Sequence, residues 1–204
     1  MAIHGLNGHR EISWTAQNAV MWLKDLLPHD VPNARIMSWG YNADVFDKEG
    51  NGLDQQRVYH HAASLVSELA LHRQMTDTER RPILFIAHSL GGIILKAALI
   101  HSSSCNSATL AHHQSILVST HGIIYMGVPH QGSTSAPLGS QLVNIATTFL
   151  KADARILKEL KADSTLLNLL VQQYAPISRD IVTKYAYETH ETGTVWGTSV
   201  VVSS

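Results

Sequence analysis

The sequence predicts an α/β fold: a mostly parallel sheet with helices on both faces and with shortened flanking strands. Three observations predict it. Short apolar runs, of which "RPILFIAHS" and "HGIIYMGVP" are the strongest, alternate with segments of helical spacing. These runs are near-continuously apolar rather than alternating, which is the pattern of strands covered on both sides. Of the 204 residues, 45% are hydrophobic and 15% charged, enough for one sizeable core. No linker composition interrupts the chain, so residues 1–204 are expected to form a single domain.

The elements follow in order. "MAIHG" reads as a stub of strand running into a glycine-bearing turn. Residues 13–27 carry Ala16, Ala19, Val20, Leu23, Leu26 and Leu27 at helical spacing, and Pro28 stops the run. "ARIMSWGY" is a short buried strand and "FDKEGNGLD" a polar loop. Val58, Ala62, Leu65, Val66 and Leu69 form one face of a long helix ending near residue 74. Pro82 opens the strand "RPILFIAHS", and "LGGIILKAALIHS" is the helix after it. "HSSSCNS", at 101–107, reads as a polar loop. "HGIIYMGVP" is a second buried strand. Residues 136–173 are helical in pattern, and the segment at about 136–175 is a candidate lid or ordinary core. "RDIVTKYAYE" and "TVWGTSVVVSS" read as two further strands.

Composition excludes several functions. The net charge is -1, with no basic patch for a nucleic acid; Arg80-Arg81 reads as a solvated helix end. The single cysteine, Cys105, cannot form an internal disulfide, which fits a reducing compartment. The first residues lack a signal-peptide pattern, and no apolar stretch reaches the roughly 20 residues of a membrane helix. Peripheral membrane contact stays open. Thirteen histidines invite a metal reading. However, the pairs His60-His61 and His112-His113 point their rings in different directions, and neither HExxH nor CxxC spacing occurs. No metal and no cofactor are expected.

"FIAHSLGG", residues 85–92, is the stretch that points to chemistry. In a parallel sheet, reactive groups sit at the carboxyl ends of strands. Ser89 ends an apolar strand and precedes a helix. A nucleophile elbow, G-x-S-x-G, needs small residues two before and two after the serine because strand and helix pass closely. Ala87 and Gly91 occupy those positions. The plainer alternative is a tight turn in which Ser89 caps the helix. "HGLNGH", residues 4–9, follows the first strand. In acyl transfer the oxyanion takes one N–H from the residue after the nucleophile, here Leu90, and one from an early loop, here Leu6. Gly5 allows the backbone to come close, and His4 is expected to shape that loop. The alternative for this segment is a glycine turn without a role.

At these motifs a resemblance emerges. "HGLNGH", "ARIMSWGY", "RPILFIAHSLGGIILKAAL" and "GIIYMGVPHQGS" resemble the serine esterases of the α/β-hydrolase superfamily. The most similar group is the serine-active-site-containing (SERAC-like) lipase/esterase family, which includes esterase-like domains of fungal NACHT and NB-ARC receptors. The resemblance runs from about residue 3 to about 200. It implies a serine hydrolase acting on a small-molecule or lipid ester, or, as in the fungal relatives, a sensing module fused to signalling domains in a longer protein.

The triad order of that superfamily is serine, then acid, then histidine. Glu188, at the end of "IVTKYAYETHE", stands where the family pattern has a glutamate; a charge at a strand exit is the alternative. Glu191 and Asp180 are lesser candidates, and Asp153 and Asp163 are expected to face water. No histidine follows His190, which lies two residues from Glu188, about 6–7 Å along a strand. His130, in "GVPHQGS", is expected to line the pocket, and its place before the acid argues against it as the base. His88 adjoins the serine, but adjacent strand side chains point apart, so it reads as a packing or hydrogen-bonding residue. The chain is thus expected to lack a well-placed base and to be shortened at both ends. Two readings follow: a serine hydrolase, or a catalytically impaired module for binding or signalling. The expected location is cytoplasmic, with mitochondrial or endoplasmic reticulum membrane association as the alternative.

Overall fold

The computed structural model describes residues 1–43, 55–128, 164–186, 192–194 and 197–199. Five strands form one sheet: β1 (Ala2–Ile3), β2 (Ser38–Trp39), β3 (Ile83–His88), β4 (Thr120–Met126) and β5 (Val182–Ala186). Their order is β2-β1-β3-β4-β5, and every pairing is parallel. Ile3 pairs with Ala87, and His88 pairs with Met126. This register brings the carboxyl ends of β1, β3 and β4 together.

Among the described residues there are four longer helices: α3 (Gln55–Met75), α4 (Leu90–Ser104), α5 (Ala111–Ser119) and α6 (Ser164–Ile177). α4 packs against α3, α5 and α6. The core lies between these helices and one face of the sheet, where Phe85, Ala87, Ile123 and Tyr125 meet Leu65, Val66, Ile94 and Leu95. The predicted face of α3 (Val58, Ala62, Leu65, Val66 and Leu69) is buried. α4 is apolar nearly all round because helices and sheet surround it.

Ala2, Trp14 and Leu23 form a second cluster with Ile86 and Met126 on the other face of the sheet. Among the described residues this face is covered only toward β1. Leu84, Ile124 and Val182 remain 64%, 42% and 66% exposed.

One buried charge ties the helical layer together. The Arg73 guanidinium, near the end of α3, donates to the carbonyls of Glu79 and Arg81 and to Ser119 Oγ at the end of α5.

Three expectations are corrected. Residues 13–27 are not one helix. A 3-10 turn at Ile12–Trp14 is followed by a bridge between Thr15 and Met21, then by α1 (Trp22–Asp25) and α2 (Leu27–Asp30). Local bonds account for this. The Asn18 side chain accepts the Val20 N–H, and Ala19 takes φ +63°, a conformation no helix tolerates. Of the spaced apolar residues, Leu23 and Leu27 join the second core cluster, whereas Leu26 is 55% exposed. "HSSSCNS" is a loop only from Cys105 onward, because α4 runs through Ser104. The helix α5 had no counterpart in the sequence reading. Of the predicted final strand, Thr194 ends β6 (Thr192–Thr194) and residues 197–199 form β7 (Gly197–Ser199), which pairs antiparallel with β6; residues 195–196 and 200–204 lie outside the described residues. Of the segment at about 136–175, residues 136–163 lie outside the described residues.

Candidate active site

Ser89 links β3 to α4 with φ 49° and ψ −122°. A non-glycine residue there carries about 1–3 kcal/mol of strain, which the surroundings must impose. Two bonds impose it: the Ser89 N–H donates to Met126 O at 2.9 Å, and its carbonyl accepts the Gly92 N–H at 3.0 Å. The side chain is 2% exposed. Its hydroxyl does not cap α4, and Oγ has no hydrogen-bond partner among the described residues. Ser89 thus occupies the N-cap position of α4, but its side chain makes no capping bond. The chain holds a serine in a strained turn although its hydroxyl contributes no bond to the described fold.

The turn is tight enough to require the small residues flagged in the sequence. A Cβ on Gly91 would lie 2.7 Å from Ile3 O, so the first turn of α4 passes directly over the end of β1. Ala87, at the other small position, is fully buried.

The β1 exit closes on the same point. A Cβ on Gly5 would stand 2.8 Å from Ser89 Cβ and 3.1 Å from His88 O. The loop turns back through a bond from Gly8 N–H to Gly5 O, with Asn7 at φ 50°. His4, fully buried, holds this loop. Tyr41 N–H reaches His4 Nε2 at 3.4 Å, which makes Nε2 the acceptor and leaves Nδ1–H to donate to Gly5 O at 3.0 Å. Tyr41 also donates its hydroxyl to His4 O at 2.9 Å and stacks on the imidazole, with centroids 4.4 Å apart. Trp39 stacks on the other ring of this series, 4.9 Å from Tyr41. Burial lowers the His4 pKa, against the raising effect of its bond to Gly5, so a neutral ring suits this role.

His88 shares the Gly5 contact with Ser89. Its Nδ1 lies beside Gly5 and its Nε2 beside Gly127, the residue at φ 55° that follows β4. It thus sits between the loops that leave β1 and β4. Leu6 and Leu90 are both buried. Leu90 is the first residue of α4, where N–H groups have no partner within the helix.

The structure therefore brings His4, Gly5, Leu6, His88, Ser89 and Leu90 together. Glu188 and His130 lie outside the described residues, as do His190 and Glu191. Tyr41, which fixes His4, was not singled out from the sequence; the "WGY" after a short strand was its only signal. Lys96 was also missed. It lies seven residues along α4 from Ser89, with its Nζ 5.4 Å from the Tyr125 ring centre and 5.9 Å from that of Tyr174. Burial brings its pKa down to about 8.

The parallel sheet, the helical layer and the strained strand-to-helix serine define an α/β-hydrolase scaffold. The chain belongs to the PGAP1-like alpha/beta domain family, which it matches over residues 2–204. It is 27% identical over 195 residues to Protein SERAC1 of Homo sapiens, a match covering 87% of this chain and 28% of that protein. To Protein SERAC1 of Danio rerio it is 28% identical over 160 residues, covering 78% of this chain and 22% of that protein. The chain therefore spans less than a third of the length of these relatives. Among solved structures it is similar to the mature form of the Bacillus licheniformis lipase BlEst2, with a TM-score of 0.52 and 18% identity over 94% of this chain and 66% of that one. At that identity the likeness concerns the fold. Among the described residues no helix is long and apolar enough to cross a membrane.

Proposed function

We propose that the chain is a serine hydrolase that cleaves a small-molecule or lipid ester, with Ser89 as its nucleophile. One observation carries the reading: Ser89 is held in a strained strand-to-helix turn with a buried hydroxyl that bonds to no described group. In this reading the strain aims Oγ at the substrate. Oγ attacks the ester carbonyl as its proton passes to a histidine. The amides of Leu6 and Leu90 hold the oxyanion, and the histidine returns the proton to the departing alkoxide. Water then hydrolyses the acyl-serine by the same route. Glu188 orients the histidine and stabilises its cation.

Eleven of the thirteen histidines lie among the described residues, and none of them bonds to Ser89 Oγ. The two histidines outside the described residues are His130, which precedes the acid, and His190, which follows it by two residues. The same observation favours a second reading, a hydrolase scaffold that binds or signals without catalysis. Either activity would operate within a longer protein, with peripheral membrane contact and fused signalling domains as its setting, in keeping with the length of the relatives.

Hydrolysis of p-nitrophenyl esters of increasing acyl length by the full chain separates the two. The hydrolase reading expects turnover that vanishes in Ser89→Ala and falls in both Glu188→Gln and the variant of the true base. Turnover equal in wild type and Ser89→Ala would reject it.

A further inference from the structure

We propose that His101, Cys105 and His113 form a binding site for one zinc ion at the carboxyl end of α4. His101 lies in the last turn of the helix, and Cys105 follows it by four residues, on the same face. His113 comes from the first turn of α5. One candidate ligand atom from each residue lies within 4.8 Å of the other two. His101 Nε2 is 3.9 Å from Cys105 Sγ, and the two imidazole centroids are 6.2 Å apart. A tetrahedral zinc ion spaces its nitrogen and sulfur ligands about 3.3–3.6 Å apart, so the set closes with movements of about 1 Å at the ligand atoms.

A second observation points to a missing ligand. His113 Nδ1 is sealed from solvent and has no hydrogen-bond partner among the described residues. Cys105 is also buried, and its thiol lies 3.3 Å from His101 O and 3.9 Å from His101 Nε2.

The donors select the ion. A thiolate with two imidazoles and no carboxylate suits zinc rather than magnesium or calcium. The carboxyl end of a helix favours a cation. The corner between α4 and α5 is already fixed without metal. Ser102 Oγ donates to His113 O at 2.6 Å and accepts the Leu117 N–H at 3.0 Å. The ligands are thus presented by packed backbone, which precision in a metal site requires. On binding, Zn²⁺ replaces the thiol proton, which leaves to solvent, and a fourth position stays open to water. The site is about 18 Å along α4 from Ser89, so it is independent of the hydrolase reading.

Cobalt(II) provides the test, because Cys105 is the sole cysteine of the chain. A thiolate-to-cobalt charge-transfer band can arise only there, whereas cobalt held by surface histidines lacks that band. The reduced, chelator-treated full chain is titrated with Co²⁺. The expected result is a near-ultraviolet charge-transfer band that saturates at one equivalent and disappears when zinc is added. Cys105→Ser abolishes the band. His101→Ala and His113→Ala each weaken cobalt binding by on the order of 100-fold or more, beyond the effect of losing an outer-shell partner. The exposed control His29→Ala changes nothing. Both ligand histidines are half-exposed, so their variants test the site even if Cys105→Ser folds poorly. A wild-type chain without the band, or a band that survives both histidine variants, overturns the proposal.

Discussion

Gly5 and Ser89 come so close that a single added Cβ on the glycine would sit 2.8 Å from the Cβ of the serine. The loop leaving β1 is therefore pressed against the turn leaving β3. The two backbone segments proposed to hold an oxyanion are brought together by strand order alone, because β1 and β3 are neighbours.

Gly5→Ala should accordingly impair reactivity more than stability. The new methyl group meets Ser89 Cβ and His88 O, and the loop must retreat. A displaced oxyanion donor costs about 10²–10³ in rate. The expected outcome is ester turnover reduced by about that factor, with an unchanged far-ultraviolet circular dichroism spectrum. Turnover within a factor of two of wild type would argue that this loop contributes no donor.

The strain at Ser89 can be measured directly. Alanine keeps a Cβ at φ 49°, whereas glycine relieves it. Ser89→Gly should exceed Ser89→Ala in stability by about 1 kcal/mol in urea unfolding. Equal stabilities would mean that the turn is not strained.

Arg73 is expected to be among the costliest single residues outside the site. Its removal leaves the carbonyls of Glu79 and Arg81 and the Ser119 hydroxyl without the guanidinium that joins them. Arg73→Met should lower stability by about 3 kcal/mol. Arg73→Lys should recover only part of the loss, because the shorter lysine side chain does not carry its nitrogen to the position of Nη2, from which all three bonds are made. Chemical denaturation of the three proteins checks both statements.

Lys96 gives the fold a pH dependence of definite sign. Burial brings its pKa to about 8, while the unfolded chain keeps the ordinary value of 10.5. Between those values the unfolded chain binds more protons, so this group's contribution to stability rises with pH. Below pH 8 the ammonium is charged in both states, and the fold bears its full desolvation cost. The stability of wild type relative to Lys96→Met should therefore increase by about 2 kcal/mol from pH 7.5 to pH 10. A difference that stays flat, or falls, would refute this assignment.

What the sequence made legible, and what it hid, follows from the range of the interactions. β3, β4, α3 and α4 are long and strongly patterned, so periodicity alone found them. The serine turn was legible because its small residues answer a local steric demand. Residues 13–27 misled because helical spacing survives in a segment whose backbone obeys Asn18 and the Thr15–Met21 bridge. The contact of Tyr41 with His4 spans 37 positions, and no local pattern announces it. His101 and Cys105 are visibly four apart, but His113 belongs to α5, an element the sequence reading lacked. Glu188, His130 and His190 lie outside the described residues, so their roles rest on sequence position and chain order.

The most direct measurement is fluorophosphonate labelling of the folded full chain, with the modified residue mapped by mass spectrometry. The account predicts one covalent adduct on Ser89, lost in Ser89→Ala. Absence of any adduct on the wild-type chain, or an adduct on a residue other than Ser89, would contradict it.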